Sequence, residues 1–358
     1  MVSCVIMINH DNAERRAAMA NAGLPQDSAA GTAASTLTCW SLTTGEAGAT
    51  SQAIGLAEAV GLPHVHQSII LRAPWRWLPG HRCPVALRGL GSDGAQLAPP
   101  WPRLLISCGR RTTAVSMAIR RLSRGKTYTV HIQDPQCPPD RFDLVVPPRH
   151  DGLTGPNVVA TRGALHRITD TAIRRAAIEQ ADRFNHLPRP LVAVLIGGST
   201  RHYRLTEAHC RRLANDLLDL AERNGAGLAI SVSRRTGAAN TALLAAAFAG
   251  SRHFFWDGTQ QGENPYLALL GLADHLLVTG DSASMVSEAA STGKPVHVIA
   301  RADYGRRLNA FHAALRDEGV TRDFDGKLHC WRYAPVNDTP MIAAHIRAAI
   351  GLIDEARP

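Results

Sequence analysis

Val278-Thr279-Gly280-Asp281-Ser282-Ala283-Ser284-Met285-Val286-Ser287-Glu288-Ala289-Ala290-Ser291-Thr292-Gly293-Lys294-Pro295, followed by Val296-His297-Val298-Ile299, reads as strand, turn, helix and strand. His275 to Thr279 is an apolar run of buried-strand type, and Gly280-Asp281-Ser282 breaks it with turn residues. Ser282 or Ser284 can cap a helix that runs to about Thr292. Gly293 stands where a left-handed C-terminal residue is wanted, and Pro295 prevents continuation. A strand, a Gly/Ser turn and a helix N-terminus leave backbone N–H groups and the positive end of the helix dipole facing solvent, an arrangement that favours phosphate. The hydroxyls of Ser282 and Ser284 add donors, and Glu288 can accept from ribose hydroxyls. Read blandly, the same residues form an ordinary βαβ unit whose serines only cap.

Outward from this stretch the same unit recurs in both directions. Leu191 to Ile196 is a buried strand that ends in the phosphate-type turn Gly197-Gly198-Ser199-Thr200. Leu228 to Val232 is another, ending in Ser233-Arg234-Arg235-Thr236. Helices are expected over Thr206–Asn224, Ala238–Ala249, Asn264–Leu272, Arg306–Glu318 and Thr339–Ala356. Nearer the start, Leu37–Leu42, His64–Leu71, Arg103–Cys108, Tyr128–Ile132, Phe142–Pro148 and Asn157–Thr161 read as strands. Helices are expected over Thr50–Val60, from Thr113 to about Leu122, and over Thr169–Asn185. Strands alternating with helices across short loops predict an α/β protein with two Rossmann-like domains, each a parallel sheet covered by helices. His186-Leu187-Pro188-Arg189-Pro190 is the best linker. The expected division is a poorly ordered arm at 1–35, a first domain at 36–186 and a second at 187–358, with the last helix able to cross back. Parallel sheets bind ligands beyond the carboxyl ends of their strands. The loops carrying Glu46, Arg110-Arg111 and Asp134 all lie at such ends.

The 358 residues suit two cores rather than one. The formal net charge of +9 comes mainly from arginine, spread in pairs rather than in a long run. Nucleic acid, an anionic membrane surface or a phosphate-bearing ligand would each suit that charge. Aromatic content of 5% argues against base-stacking recognition, so no nucleic-acid partner is expected. Seven scattered cysteines without a CxxC pair predict reduced, cytoplasmic thiols and neither a disulfide framework nor a zinc site. His64 and His66 alternate on one strand face, yet no HExxH pattern accompanies them, and no metal is expected. No apolar run reaches spanning length. Trp75, Trp77 and Trp101 lie in a Pro/Gly/Trp/Arg-rich connection between Ala73 and Pro102. Docked on the fold they are core; exposed, they would offer peripheral contact with the inner membrane face or with a partner.

The chain resembles the GT-B architecture of nucleotide-sugar glycosyltransferases, and more closely the plant-type mitochondrial-fission (elongated-mitochondria) family and its bacterial homologues. The resemblance covers about Leu37 to the C-terminus. Its carriers are Trp40 with Thr44-Gly45-Glu46-Ala47-Gly48 and Gln52 to Glu58; Ser107-Cys108-Gly109-Arg110-Arg111-Thr112; His131-Ile132-Gln133-Asp134-Pro135; Ile196-Gly197-Gly198; and Val278 to Ser282 through Gly293-Lys294-Pro295. It implies a metal-independent glycosyltransferase with no permanently bound cofactor. A nucleoside-diphosphate sugar is its donor, and an unidentified acceptor binds in the first domain. By resemblance, Gly197, Gly198 and Ser199 lie near the donor diphosphate. Gly280, Ser282 and Ser284 take phosphate, and Glu288 meets the ribose. Arg234 neutralises the departing diphosphate. Glu46, and second Asp134, are the acid/base candidates. The first-domain loop departs from the Gly-Gly-rich, His-ended loop of several transferases of this fold. Two alternatives accompany this reading: a nucleoside-diphosphate-sugar epimerase on the same fold, and a non-catalytic scaffold that recruits a membrane or a partner protein.

Overall fold

The computed structural model describes residues 38–73, 77, 87–200, 202–300 and 303–352. The arm at 1–35, Trp75 and the end of the last expected helix lie outside the described residues. The first sheet is built from β1 (Cys39–Thr43), β2 (His64–Ser68), β3 (Leu104–Cys108), β4 (Tyr128–Ile132) and β5 (Leu144–Val146), in the order β2-β1-β3-β4-β5. Every pairing is parallel. Parallel neighbours need crossovers, and α1 (Ala47–Val60) and α2 (Thr113–Leu122) supply two of them. Strand alternation sends Leu104, Ile106, Val130 and Ile132 toward α1. It sends Leu42 and Leu105 toward Ala114, Val115 and Ile119 of α2. The expected strand at 157–161 forms only isolated bridges to Val145 and Pro148.

The second sheet follows the same logic. It runs β11-β10-β9-β6-β7-β8, all parallel, from β6 (Leu191–Ile196), β7 (Gly227–Val232), β8 (Phe254–Trp256), β9 (His275–Thr279), β10 (Val296–Ile299) and β11 (Thr321–Asp323). Its helices are α3 (Asp170–Glu179), α4 (Glu207–Asn224), α5 (Ala238–Phe248), α6 (Tyr266–Leu272), α7 (Ala283–Ala290) and α8 (Arg306–Asp317). All six residues of β6 are buried because helices cover both faces. Each of its larger aliphatic side chains contributes about 2 kcal/mol of transfer free energy. The short edge strand β11 has no period of its own, with Arg322 and Asp323 exposed, and so escaped the sequence pattern.

Two helices tie the halves together. α3 precedes the Pro-rich linker, yet Ile173 and Ala176 belong to the core under the second sheet, beside Leu269 of α6. The last helix, α9 (Thr339–Ala349), places Ile342, Ala343 and Ile346 in the core under the first sheet. Arg347 donates to the Val60 carbonyl at 2.9 Å, anchoring α9 to the end of α1. Between the halves, Arg307 pairs with buried Asp151, and Glu318 accepts from Arg149 at 2.9 Å and Arg162 at 2.7 Å. The carboxyl ends of both sheets therefore face one cleft whose sides are held by polar contacts.

Trp101 packs edge-on against Trp40, with ring centroids 6.1 Å apart, so this member of the tryptophan segment is docked. Trp77 is 70% exposed. Among the described residues, no helix is long and apolar enough to cross a membrane.

Candidate functional site

The second-domain wall of the cleft is made by three turns at the ends of β6, β7 and β9, which are neighbours in the sheet. Asp281 joins them. Its carboxylate accepts from the Gly198 N–H at 2.9 Å, from Thr279 Oγ1 at 2.7 Å and from Arg235 Nη1 at 2.8 Å. The Asp281 side chain is only 1% exposed, so these three donors replace its water. The glycines are demanded by this closeness. A Cβ on Gly197 would lie 2.2 Å from Asp281 Oδ2, and one on Gly198 would lie 2.0 Å from the Arg235 carbonyl. Gly197 N–H also donates to Thr279 Oγ1 at 2.7 Å, and Ser199 Oγ accepts from the Leu205 N–H at 3.1 Å.

Ser282 caps α7: its Oγ accepts from the Met285 N–H at 3.4 Å, and no acidic side chain occupies the first turn. The helix ends at Ala290, capped by right-handed Ser291, and Gly293, two residues further on, takes φ +72° in the turn that leads to β10. Gly280 is held from behind, its carbonyl accepting from His312 Nε2 at 2.6 Å while the Tyr304 ring covers its Cα. Ser284 faces the other domain: a Cβ added to Gly48, in the first turn of α1, would lie 3.3 Å from Ser284 Oγ. Two helix N-termini, α1 and α7, thus approach each other across the cleft. Ser287 Oγ accepts from the Ala164 N–H at 2.9 Å and closes the adjoining seam.

Glu288 lies one turn beyond Ser284 on the same side of α7. Its Oε2 accepts from Tyr266 Oη at 2.5 Å. Burial raises its pKa to about 7, against which the Tyr266 hydrogen bond works in the opposite sense. Tyr266 is pushed well up by burial and by this carboxylate.

Arg234 is exposed at the end of β7 and has no partner among the described residues. Its neighbour Arg235 is instead committed to Asp281 and to the Gly198 carbonyl at 3.3 Å. In the first domain, Glu46 precedes α1, is exposed, and accepts from Thr44 Oγ1 at 2.6 Å. Its charge helps burial hold the Cys108 thiol up, which puts it beside the end of β3. Asp134 accepts from the Gln136 N–H at 2.7 Å, and Gln136 Oε1 accepts from Arg110 at 3.3 Å, so the β3 and β4 loops meet. Gln133 and Gln136 take φ +79° and +57°, left-handed backbone that is uncommon for residues other than glycine. His66 is satisfied by Ser41 at 3.0 Å and Thr43 at 3.4 Å. Among the described residues no group of three or more His, Cys, Asp or Glu side chains comes together as a metal cage.

The structure therefore gathers Gly197, Gly198, Ser199, Arg234, Gly280, Ser282 and Ser284 on one wall, with Glu288 deeper along α7. It gathers Glu46 and Asp134 on the opposite wall. Asp281, Arg235 and Tyr266 were not marked as site residues by the sequence reading. A usable signal existed for Arg235: the triplet Arg-Arg-Thr follows a strand in each domain, at 110–112 and 234–236, and forms a 3₁₀ turn both times.

Two parallel-sheet Rossmann-like domains with their strand ends turned to one cleft define the GT-B class of fold. The UDP-GlcNAc 2-epimerase of Methanocaldococcus jannaschii, solved with UDP-GlcNAc and UDP, shares it. That structure is 12% identical, covers 88% of this chain and 99% of its own, and has a TM-score of 0.51. A sequence model of the mitochondrial fission ELM1 family matches residues 47–350, and the chain belongs to that family. The mitochondrial fission protein ELM1 of Arabidopsis thaliana is 34% identical over 69% of this chain, which spans 63% of that relative's length. An uncharacterised protein of Rickettsia prowazekii is 24% identical over 70% of this chain and 80% of its own.

Proposed function

We propose that the cleft binds a nucleoside-diphosphate sugar and transfers its sugar to an acceptor held by the first domain. The observation that carries this reading is the α7 turn. It presents Gly280, Ser282 and Ser284 at a helix N-terminus that faces the N-terminus of α1, with Glu288 one turn away. The diphosphate would lie beside the Gly197–Ser199 turn and on the first turn of α7, whose N-terminal N–H groups and helix dipole oppose its charge. Glu288 Oε1 would accept from a ribose hydroxyl while Oε2 stays with Tyr266. In the transfer, an acceptor oxygen forms a bond to the anomeric carbon and the bond from that carbon to the diphosphate oxygen breaks. The electron pair leaves with the diphosphate, opposed by Arg234, and the acceptor proton passes to Glu46 or Asp134. Supporting this reading, the epimerase that shares the fold was solved with a UDP-sugar.

The test is a thermal-shift panel of the common nucleoside diphosphates and their sugars. A ligand that binds only the folded chain raises its apparent stability by mass action. A rise confined to one base class supports the donor site. No rise with any of them at millimolar concentration refutes it and leaves the fold as a scaffold.

A further inference from the structure

The described cysteines are all free, and among them Cys330 alone is exposed. Cys39, Cys108 and Cys210 are buried and Cys137 is half-buried; burial pushes all four thiols up and keeps them protonated. Cys330 belongs to the segment 324–333 that follows β11. Phe324 and Leu328 of this segment join the core that holds Leu220 of α4 and Leu277 of β9. The segment is tied down on both sides of the thiol. The Phe324 N–H donates to the Val298 carbonyl at 2.8 Å, Trp331 Nε1 to the Val320 carbonyl at 3.3 Å and Tyr333 Oη to the Lys294 carbonyl at 2.6 Å. His329 Nε2 meets Asp325 at 2.9 Å. The residues flanking Cys330, His329 and Trp331, place their rings 6.2 and 5.0 Å from the His297 ring. Cys330 is therefore open to solvent yet held in one position.

That position is against His275, the first residue of β9. Cys330 Sγ lies 3.9 Å from His275 Nε2, within reach of a sulfur hydrogen bond. His275 is 5% exposed, and its Nδ1 is buried with no hydrogen-bond partner among the described residues. An apolar side chain would fill this space without the cost of a buried, half-satisfied imidazole. The pairing points instead to chemistry at the sulfur. Burial lowers the pKa of His275 below its ordinary 6.5, against the opposite pull of Asp274, so the ring is neutral near pH 7 and can take up a proton. Asp274 is itself occupied by Arg189 at 2.8 Å and by the Leu191 N–H at 2.7 Å, and the His297 ring stands 5.7 Å from that of His275.

We propose that Cys330 is a site of reversible S-thiolation, with His275 as the base that takes the thiol proton and a low-molecular-weight disulfide as the co-reactant. With the ring's own proton on Nδ1, Nε2 accepts the proton of the thiol. The thiolate attacks one sulfur of the disulfide, a bond forms from Sγ to that sulfur, and the disulfide bond breaks. The electron pair leaves on the second sulfur, which takes the proton from His275 and departs as a thiol. Cys330 is oxidised to the mixed disulfide, and one equivalent of small thiol is released. A protein thiol is poorly placed to compete. Cys39, Cys108 and Cys137 belong to the first domain. Cys210 is in the first turn of α4, whose far end meets the segment through Arg223 and the Gly326 carbonyl at 3.4 Å, about 20 Å along the helix. The site lies at the opposite end of β9 from Gly280-Asp281-Ser282, so it is separate from the cleft and does not depend on the nucleotide-sugar reading.

The experiment incubates the full chain with glutathione disulfide and follows the adduct on each cysteine by peptide mass spectrometry. Wild type is compared with His275→Gln at pH 7 and pH 10, and N-acetylcysteine serves as an unassisted thiol. Such a thiol is only a few per cent ionised at pH 7, so Cys330 should react about fivefold or more faster than N-acetylcysteine and than Cys330 of His275→Gln. At pH 10, where thiols ionise without a base, the two proteins should agree within about twofold. Dithiothreitol should release the adduct. No adduct on Cys330, a wild-type rate at pH 7 no higher than that of N-acetylcysteine, equal rates in the two proteins at pH 7, or a gap that persists at pH 10 overturns the proposal. Melting temperature checks that His275→Gln folds, and the comparison with N-acetylcysteine decides the matter if it does not.

Discussion

Glu288→Gln isolates the cost of keeping a carboxylate on α7. The unfolded chain ionises this group near 4.5, whereas in the fold it ionises at about 7. Its folded pKa is raised, so its stabilising term is complete below pH 4.5 and is lost as pH rises through 7. The difference corresponds to about 3 kcal/mol of native-state stability surrendered by pH 8. Glutamine keeps an oxygen to accept from Tyr266 and has no titration in this range. Urea denaturation of both proteins from pH 4.5 to 8.5 should give coincident stabilities at the acid end, with the variant more stable by about 3 kcal/mol at the alkaline end. Parallel profiles, or a variant less stable than wild type at pH 8, would refute the assignment of a desolvated carboxylate. An uncompensated charge of this size is what a ligand-binding group costs a fold, and Gln should weaken nucleotide-sugar binding while it strengthens the protein.

Asp281→Ala removes the acceptor shared by Gly198 N–H, Thr279 Oγ1 and Arg235, and should cost about 3 kcal/mol or more in urea denaturation. A loss under about 1 kcal/mol would mean the three turns do not depend on it. Gly198→Ala puts a Cβ against the Arg235 carbonyl, forces the β6 and β7 turns apart, and should lower both melting temperature and nucleotide-sugar affinity. His297 is fully buried, and burial, with His275 and His329 beside it, lowers its pKa to about 4. Its term is therefore present above the ordinary histidine pKa of 6.5 and is lost as pH falls toward 4. His297→Leu should abolish about 3 kcal/mol of the acid-side loss in denaturation profiles, and an unchanged acid limb would contradict this.

Most of the fold was legible because buried parallel strands write themselves as short apolar runs. β4, β6, β9 and β10 follow the chemistry of Tyr128–Ile132, Leu191–Ile196, His275–Thr279 and Val296–Ile299, and Ser282 caps α7 as its place in the sequence predicts. The edge strand β11 was not legible, since a half-exposed Thr-Arg-Asp carries no period. Nor was the docking of α3 on the second core. A proline-rich linker marks where the chain can bend, not which sheet a helix finally covers. For the site, glycines and serines announced their turns directly. Arg235 and Asp281 did not, because their roles arise from a contact 46 residues apart that only the sheet order creates.

The most direct measurement is calorimetric titration of UDP-GlcNAc, UDP and the other nucleoside diphosphate sugars into wild type and Glu288→Ala at pH 8. The account predicts saturable binding of one nucleotide class to wild type, weakened about tenfold or more in the variant by loss of a charge-assisted ribose contact. Equal binding by both proteins would contradict the role of Glu288. Silence from wild type at millimolar ligand would contradict the nucleotide-sugar site itself.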